Sequence, residues 1–293
     1  MKRFQFIQVE KAFYPIRLLC EVMAVSRSGF YGWVKRGATE PAHDERRLRV
    51  ELKAIHQESR GTYGAPRMTR ELHRRGIRIG HNRVAKLMRT EGLHGLPRKR
   101  FRHRAAPQRR FVCENLLQRD FLVSEPNKAW VGDITYIWTP SGWLYLAVLI
   151  DLFSRRVVGW AVDEHFRTSL CLRALKQAIV LRRPNQGLVH HTDRGSQYTS
   201  DEYAKQRSKA GLRPSYSHAG DCWDNAVAES FFGTLKTELI HRRTWRNQNE
   251  EEEAIRDYIH NFYNSKRQHS TNRGLSPIDR ETDFFTRNKS MTA

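Results

Sequence analysis

Long hydrophobic runs are absent from this sequence of 293 residues, and no stretch approaches the roughly 18 uninterrupted apolar residues of a membrane-spanning helix. The amino terminus lacks the apolar core and the small-residue cleavage site of a secretory signal, which predicts that the chain is not secreted. Cysteine is scarce, and the four cysteines form no CxxC pair, so neither a disulfide framework nor a cysteine-based zinc site is expected. We therefore expect a soluble protein of a reducing compartment.

Acidic residues are in short supply, with 31 Asp and Glu against 52 Lys and Arg, for a net charge of +21. The imbalance is concentrated at the front: residues 1–110 carry 27 basic and 9 acidic residues, whereas the remainder carries 25 and 22. Concentrated positive charge predicts a polyanionic partner, and nucleic acid is the first candidate. The alternative is a solvated basic face that binds RNA without specificity.

The first 40 residues have the pattern of a helix-turn-helix. A polar break around Ser26 separates an apolar helix from a short aromatic helix, and Ser26 is a candidate N-cap for the second one. Arg27, near the start of that helix, is a candidate DNA contact. An ordinary helical hairpin remains the alternative. The apolar stripe of the first helix consists of Ile16, Leu19, Cys20, Val22 and Met23.

A second helical, DNA-binding domain is expected over residues 43–94. One of its helices begins near Pro66, because proline suits a first helical turn. The last helix has an outward face of basic and amide side chains, which makes it the better candidate for a recognition helix. The apolar residues expected to face inward are Leu48, Leu52, Ile55, Val84, Leu87 and Met88. The candidate DNA contacts are Asn82, Arg83, Lys86 and Arg89.

Residues 95–120 are predicted to form a basic linker. Its residues 95–110 have two prolines and a dense run of Arg and Lys without apolar periodicity, which suits a chain lying along a phosphate backbone. The candidate phosphate contacts are Arg98, Lys99 and Arg100.

After residue 120 the pattern changes to α/β. Three strand-like segments joined by short turns predict an antiparallel meander, and helices and short strands then alternate. This order predicts a ribonuclease H-like core over residues 121–245, with a mixed five-stranded sheet and helices, behind the all-α helix-turn-helix front. Residues 246–293 are expected to form one C-terminal helix and a tail.

Three carboxylates in this core attract attention. Asp133 lies within the first strand, Asp193 ends the fourth strand 60 residues later, and Glu229 follows in a helix after 35 intervening residues. Two divalent metal ions about 4 Å apart can drive phosphodiester chemistry, and Mg²⁺ prefers carboxylate oxygens. Separately, each acid has an ordinary alternative: a hydrogen-bonding strand residue, a turn and a surface helix residue.

The context of Glu229 strengthens the metal hypothesis. Lys236 lies seven residues later on the same helix, and two helical turns return it to nearly the same face. A carboxylate that binds metal and a cation that reaches phosphate would then share one wall of a cleft.

Several core and front segments occur in a familiar order and spacing. The core segments are WVGDITYIWT, YLAVLIDLFSRRVVGW, HHTDRGSQYTS, DNAVAESFFGTLKTEL and YNSKRQHSTNRGLSPIDR. The front segments are SRSGFYGW and TYGAPRMTRELHRRGIRIGHNRVAKLMRTEGLHG. Together they resemble the integrase-type catalytic core and the helix-turn-helix regions of bacterial insertion-sequence transposases of the IS-three family. The similarity extends over residues 15–280, and the chain looks like the product of the second reading frame.

The resemblance implies that Asp133, Asp193 and Glu229 form a DDE triad, with Lys236 as the accompanying basic residue. Family members nick DNA to free a 3′-OH and use that hydroxyl to attack another phosphodiester. The implied cofactor is Mg²⁺ (or Mn²⁺), two ions per active site, without ATP. In this scheme Asp133 bridges both ions, and the other two acids hold one each. No zinc is expected, because the spacing of two His and two Cys found in retroviral integrases is absent.

The resemblance also implies partners. The DNA would be the terminal inverted repeats of the element and its target, handled by a homo-oligomer assembled on DNA. Fusion to the product of an upstream reading frame is expected, as is a cytoplasmic, nucleoid-associated location in a bacterium without membrane contact. Two alternatives remain at this point: a DNA-binding repressor with an inert core, and a structure-selective nuclease that cleaves without joining.

Six further residues border the expected site. Asp151 is expected to be structural rather than a fourth metal ligand, and His190 and His191 are expected to support the backbone or contact DNA. The polar and aromatic residues near the cleft could stack on a base or pack in the core. These are Gln197, Tyr198 and Trp223.

Overall fold

The computed structural model describes residues 2–36, 43–96, 123–140, 142–217 and 226–291. The chain forms two compact units, which meet in sequence between Ala54 and Ile55. The predicted phosphate contacts Arg98, Lys99 and Arg100 lie outside the described residues. Among the helices that are described, none is both long and apolar enough to cross a membrane.

The described ranges contain twelve α-helices and five strands. The helices of the front are α1 (Lys2–Glu10), α2 (Ile16–Val22), α3 (Arg27–Arg36), α4 (His43–Glu58), α5 (Ala65–Arg74) and α6 (His81–Thr90). The core begins with β1 (Ala129–Thr139), β2 (Gly142–Asp151), β3 (Val157–Asp163), α7 (Thr168–Arg182) and β4 (Val189–Thr192). It continues with α8 (Ser196–Thr199), α9 (Asp201–Lys209), β5 (Arg213–Tyr216), α10 (Ala226–Glu238), α11 (Gln248–Asp257) and α12 (Pro277–Met291).

The first unit contains the predicted helix-turn-helix pattern as α2 and α3. The N-cap prediction is confirmed, because the Ser26 hydroxyl accepts a hydrogen bond from the Gly29 amide at 3.0 Å. Helix α1, which the sequence did not indicate, contributes Ile7 to the small core. The prediction that Val22 faces inward is wrong: it is 73% exposed, because it lies off the i, i+3, i+4, i+7 stripe that buries Leu19.

The predicted helices of the second block are confirmed as α4, α5 and α6, and all six of their predicted apolar residues are buried. Helix α5 contains Pro66 in its first turn, as expected. It lies on the carboxy-terminal part of the core. Tyr63 donates a hydrogen bond to the Lys266 carbonyl at 3.2 Å, and the Gln268 side chain donates one to Glu71 at 3.0 Å.

The core contains one mixed five-stranded sheet with the order β3-β2-β1-β4-β5. The first three strands are antiparallel, whereas β4 is parallel to β1 and β5 is parallel to β4. The predicted ribonuclease H-like arrangement is therefore confirmed. Its consequence for the site is that β1 and β4 run side by side in the same direction.

Apolar side chains on both faces of the sheet anchor helices. Val131 and Ile137 of β1 pack on the face covered by α10 and α11, where Phe231 and Leu235 are buried. The other face packs against α7 and α9. Helix α10 is thereby held against β1.

The carboxy-terminal region differs from the prediction of one final helix. Helix α11 passes into a π-helical segment over Tyr258–Tyr263, and α12 follows after a loop. The second helix begins because Pro277 occupies its first position and the Ser276 hydroxyl accepts a hydrogen bond from the Asp279 amide at 3.1 Å.

Candidate active site

Parallel pairing of β1 with β4 brings two of the predicted acids to the same level of the sheet. The last paired residues are Val131 and His191, and Asp133 and Asp193 each follow two positions later. Gly132 keeps the two strands close, because a Cβ there would lie 3.0 Å from Cε1 of a β4 histidine. The spacing of 60 residues in the sequence is thus the register of two neighbouring strands.

Asp133 is half-buried and lies in a negative environment. Burial first, and then the charges of Asp193 and Glu229, raise the pKa of its carboxyl to about 8, and its Oδ1 accepts a hydrogen bond from the Ile134 amide at 2.8 Å. Asp193 is at the accessible edge, but partial shielding from solvent raises its pKa, and it accepts a hydrogen bond from the Gly195 amide at 3.0 Å.

Glu229 is in the first turn of α10, and Lys236 is in the last. The buried face of the helix holds Phe231, Phe232 and Leu235, which leaves Glu229 and Lys236 only half-buried on the remaining surface. Burial lowers the pKa of Lys236. Helix α10 packs on β1, and the negative charge of Glu229 raises the pKa of Asp133.

The donor set suits a hard divalent cation. Carboxylate oxygens are the ligands that Mg²⁺ prefers, and within the described ranges neither Asp133 nor Asp193 forms an ion pair with Lys or Arg. A cation would relieve the repulsion that raises the pKa of Asp133. As they stand, no three His, Cys, Asp or Glu side chains in the described part of the chain converge closely enough to hold one ion. The acids share an electrostatic environment rather than a closed metal cage.

Asp151 has the structural role expected of it. It is fully buried, and its carboxylate accepts hydrogen bonds from the amides of Asn127 at 2.7 Å and Phe153 at 2.9 Å. Arg182 lies 3.8 Å away. These partners use both oxygens to hold the turn after β2.

The two histidines of β4 support the backbone. The rings of His190 and His191 are buried; Nε2 of His190 lies 2.7 Å from the Tyr203 hydroxyl, and His191 bonds to the Ser215 hydroxyl at 2.8 Å. Burial lowers the pKa of His190 to about 3, so its ring stays neutral. These contacts tie β4 to α9 and β5.

Of the two alternatives left open for Tyr198, stacking on a base or packing in the core, the structure shows core packing. Tyr198 is 2% exposed and contacts the ring of Tyr203 edge-on at 5.3 Å. Gln197 donates a hydrogen bond to the Phe166 carbonyl at 2.9 Å. Trp223 lies outside the described residues.

Sequence reasoning missed a row of aromatic side chains beside the acids, which we call the aromatic strip. Three members are largely exposed: Tyr136 at 61%, Trp138 at 63% and Trp143 at 46%. The signal was present in the alternation of β1, where buried Thr135 and Ile137 alternate with these rings. The strip consists of Tyr136, Trp138, Trp143, Tyr145 and Phe166.

The predicted DNA contacts in the front are accessible. Arg27 is exposed at the start of α3. The predicted outward residues of α6 are exposed opposite its buried face. They are Asn82, Arg83, Lys86 and Arg89.

Comparison with known proteins identifies the parts of the chain. A family model described as "Integrase core domain" matches residues 123–222, and a second model with that description matches residues 229–283. A model described as "HTH-like domain" matches residues 42–101. Similar solved structures include the integrase catalytic core domain of HTLV-2 in complex with magnesium, 21% identical with a TM-score of 0.41 over 53% of this chain and 96% of that chain.

Curated relatives match most of the chain. "Transposase InsF for insertion sequence IS3A" of Escherichia coli (strain K12) is 39% identical over 282 residues, which is 94% of this chain and 96% of the relative. The "Insertion element IS600 uncharacterized 31 kDa protein" of Shigella sonnei is 39% identical over 260 residues, 88% of this chain and 96% of the relative. The chain belongs to the IS-three family of insertion-sequence transposases.

Proposed function

We propose that Asp133, Asp193 and Glu229 are the catalytic residues of this transposase and that they hold two Mg²⁺ or Mn²⁺ ions. The observation that carries the proposal is the environment of Asp133, a half-buried carboxyl whose neighbouring charges are both negative. Buried carboxylates are normally paired or bound to a metal ion. The structural acid Asp151 has an arginine and backbone amides instead, which makes it a poor ligand.

The reaction is DNA cleavage at the ends of an insertion sequence followed by strand transfer. Family membership favours this function over a repressor with an inert core and over a nuclease that never joins its products. In the first step a water oxygen attacks phosphorus, and the 3′ oxygen of the neighbouring nucleotide leaves as a free 3′-OH. In the second step that hydroxyl attacks a target phosphodiester, so one bond forms for each that breaks and ATP is not needed.

The residues of the chain divide the work. The bound metal ions would activate the attacking oxygen and stabilise the leaving oxygen. The strands β1 and β4 fix the two aspartates at one level, and α10 positions Glu229 and Lys236 on one surface. Lys236 can bind a phosphate oxygen of the substrate and hold the backbone beside the acids.

The front of the chain would bind the element's terminal repeats. We propose α6 as the recognition helix, because its exposed face carries the predicted amide and basic residues. Arg27 would contact DNA from α3. The linker residues Arg98, Lys99 and Arg100 would contact phosphates and set the salt dependence of binding.

The partners follow from the reaction. Two element ends must be joined, so we propose a homo-oligomer assembled on DNA, completed by a fusion partner from the upstream reading frame. The substrate and target are DNA, which places the enzyme at the bacterial nucleoid in the cytoplasm.

The test is a cleavage and joining assay with the purified chain, alone and fused to the upstream product, on oligonucleotides that carry element ends. Glu229→Gln removes one charge with little change of shape. We expect nicked and joined products with the wild type in Mg²⁺ and a loss of at least about 100-fold in the variant. The matched control is Glu202→Gln, at an exposed position of α9, which should keep full activity.

Equal cleavage by wild type and Glu229→Gln would remove Glu229 from the catalytic centre. Binding of DNA without cleavage by either protein, even with the fusion partner, would restore the repressor hypothesis. Cleavage without joined product from a pre-nicked end would favour the nuclease.

A further inference from the structure

The aromatic strip requires an explanation, because exposing large apolar rings to water on a sheet surface is unfavourable. The Trp143 ring contacts Tyr136 edge-on at 5.4 Å between centroids and contacts Trp138 at 5.1 Å. The row continues across the hairpin, where Tyr145 lies opposite Tyr136 and contacts Phe166 at 5.2 Å. A contiguous exposed patch of this kind usually marks a binding surface.

The strip borders the candidate active site at two points. Lys236 Nζ lies 5.1 Å from the centre of the Tyr136 ring, so one cation adjoins both the strip and the helix of Glu229. At the other end, the Phe166 carbonyl accepts a hydrogen bond from Gln197, which belongs to α8, four residues after Asp193. The aromatic strip therefore adjoins the candidate active site through Lys236 on one side and Gln197 on the other.

The distance along β1 places the strip at neighbouring nucleotides. Tyr136 is three residues from Asp133, which corresponds to about 10 Å at 3.3 Å per residue. Tyr136 faces the opposite side of the sheet from Asp133, but pairing with β4 ends at Val131, so no described strand covers this edge of β1 beyond it. A flexible strand could pass around that edge from the acids to the rings.

Ring faces bind what offers a flat face in return. Bases inside a duplex are stacked on each other, whereas unpaired bases expose their faces and stack readily on aromatic side chains. The adjoining Lys236 favours a polyanion over an apolar protein partner, as the net charge of +21 does for the chain as a whole. We propose that the aromatic strip binds unpaired nucleobases of the DNA strand that flanks the scissile phosphodiester, a proposal that rests on the DNA-cleaving function proposed above.

The test measures binding by the full chain, in EDTA, to a fluorescein-labelled oligothymidylate and to a blunt duplex. Trp138→Ala and Trp143→Ala should each weaken binding of the single strand at least about fivefold, the loss of one stacked base, and Trp138→Phe should retain most of the affinity. Duplex affinity and the slope of affinity against salt should stay the same, because no phosphate contact is removed. Quenching of tryptophan emission by the single strand should diminish in the double variant.

The matched control is Phe285→Ala, which removes a ring that is 50% exposed on α12, in contact with Phe284. It should leave both affinities unchanged. The substituted tryptophans are exposed, so thermal unfolding should match the wild type and exclude misfolding.

Three results would overturn the proposal. Unchanged single-strand affinity in the double variant would show that the rings do not contact bases. Equal losses for single strand and duplex would indicate a general DNA contact rather than stacking. If the double variant without DNA sediments differently from the wild type but binds DNA equally well, the strip contacts a second copy of the chain instead. Failure of the wild type to bind any DNA would instead refute the proposed function, and this inference with it.

Discussion

Glu238, at the end of α10, forms a buried and fully hydrogen-bonded ion pair with Arg267. Its carboxylate accepts hydrogen bonds from Arg267 at 2.7 and 2.8 Å and from the Tyr258 hydroxyl at 2.8 Å, and Arg67 of α5 lies 3.7 Å away. The side chains of Glu238 and Arg267 are each 7% exposed. Glu238→Gln keeps the shape but leaves a buried guanidinium without its countercharge.

The cost of that change follows from the burial. Removing one partner of a buried pair costs about 3–5 kcal/mol, because the remaining charge is desolvated without compensation. For a unit of this size each kcal/mol lowers Tm by about 2–4 °C, so we expect Tm to fall by about 6–20 °C. Urea unfolding followed by circular dichroism would give the free energy of unfolding directly.

Two comparisons separate this effect from a general intolerance of substitution. Arg267→Met combined with Glu238→Gln should destabilise less than the sum of the two single changes, by at least about 1 kcal/mol, because neither charge is then left alone. Asp283→Asn weakens solvent-accessible pairs with Arg287 at 2.9 Å and Arg280 at 3.9 Å, and should cost less than about 0.5 kcal/mol. A loss below about 1 kcal/mol for Glu238→Gln would refute the reasoning that the pair is desolvated.

Three further predictions concern stability. Burial raises the pKa of Glu251 to about 7, so the folded state binds this proton more tightly than the unfolded state does. The free energy of unfolding should therefore fall by about 3 kcal/mol as the pH rises from about 4.5 to 7. Measurements of Tm against pH should show this dependence flattened in Glu251→Gln but unchanged in Glu253→Gln, which alters an exposed neighbour. Gly159→Ala would place its Cβ 2.2 Å from a carbonyl oxygen of α7, so the free energy of unfolding in urea should fall by at least about 3 kcal/mol. The control Gly32→Ala, whose Cβ would have no atom within 4 Å, should leave the free energy of unfolding unchanged or raise it. Mg²⁺ at about 100 times its Kd should raise the free energy of unfolding of the wild type by about 2.7 kcal/mol, and that of Asp133→Asn far less. Equal stabilisation of the two proteins would show that Asp133 does not bind the metal ion.

The order of the core elements could be predicted from the sequence because each strand and helix has its own hydrophobic period. The β-branched and apolar content of β1 through β3, the N-cap of α3 and the proline in the first turn of α5 are local features that tertiary contacts did not override. The position of Asp133 and Asp193 at the same height on neighbouring strands could not be predicted from their spacing alone, since register depends on which strands pair. It required the parallel contact of β1 with β4.

Other features depended on long-range contacts and were missed for that reason. Helix α1 has weak amphipathicity and is fixed by packing of Ile7 on Phe30 and its neighbours. For Tyr198 the sequence left both stacking on a base and core packing open, and only the fold, which buries it against Tyr203, decided between them. The sequence also did not reveal that the rings of the aromatic strip are exposed. The composition of β1 predicts a core strand, and only the assembled sheet shows which of its side chains remain uncovered.

The partners of the carboxylates separate the structural acids from the proposed metal ligands more sharply than position in the sequence does. Glu281 is buried and receives hydrogen bonds from Arg156 at 2.7 Å and Arg182 at 2.8 Å, and Glu238 has Arg267. Asp133 lies in the same core, yet its closest charges are negative, and within the described ranges no Lys or Arg forms an ion pair with it. A chain with 52 basic residues has no shortage of cations to place there. The absence of a basic partner among the described residues, beside a second acid on the neighbouring strand, supports our proposal that Asp133 holds a cation that comes from solution.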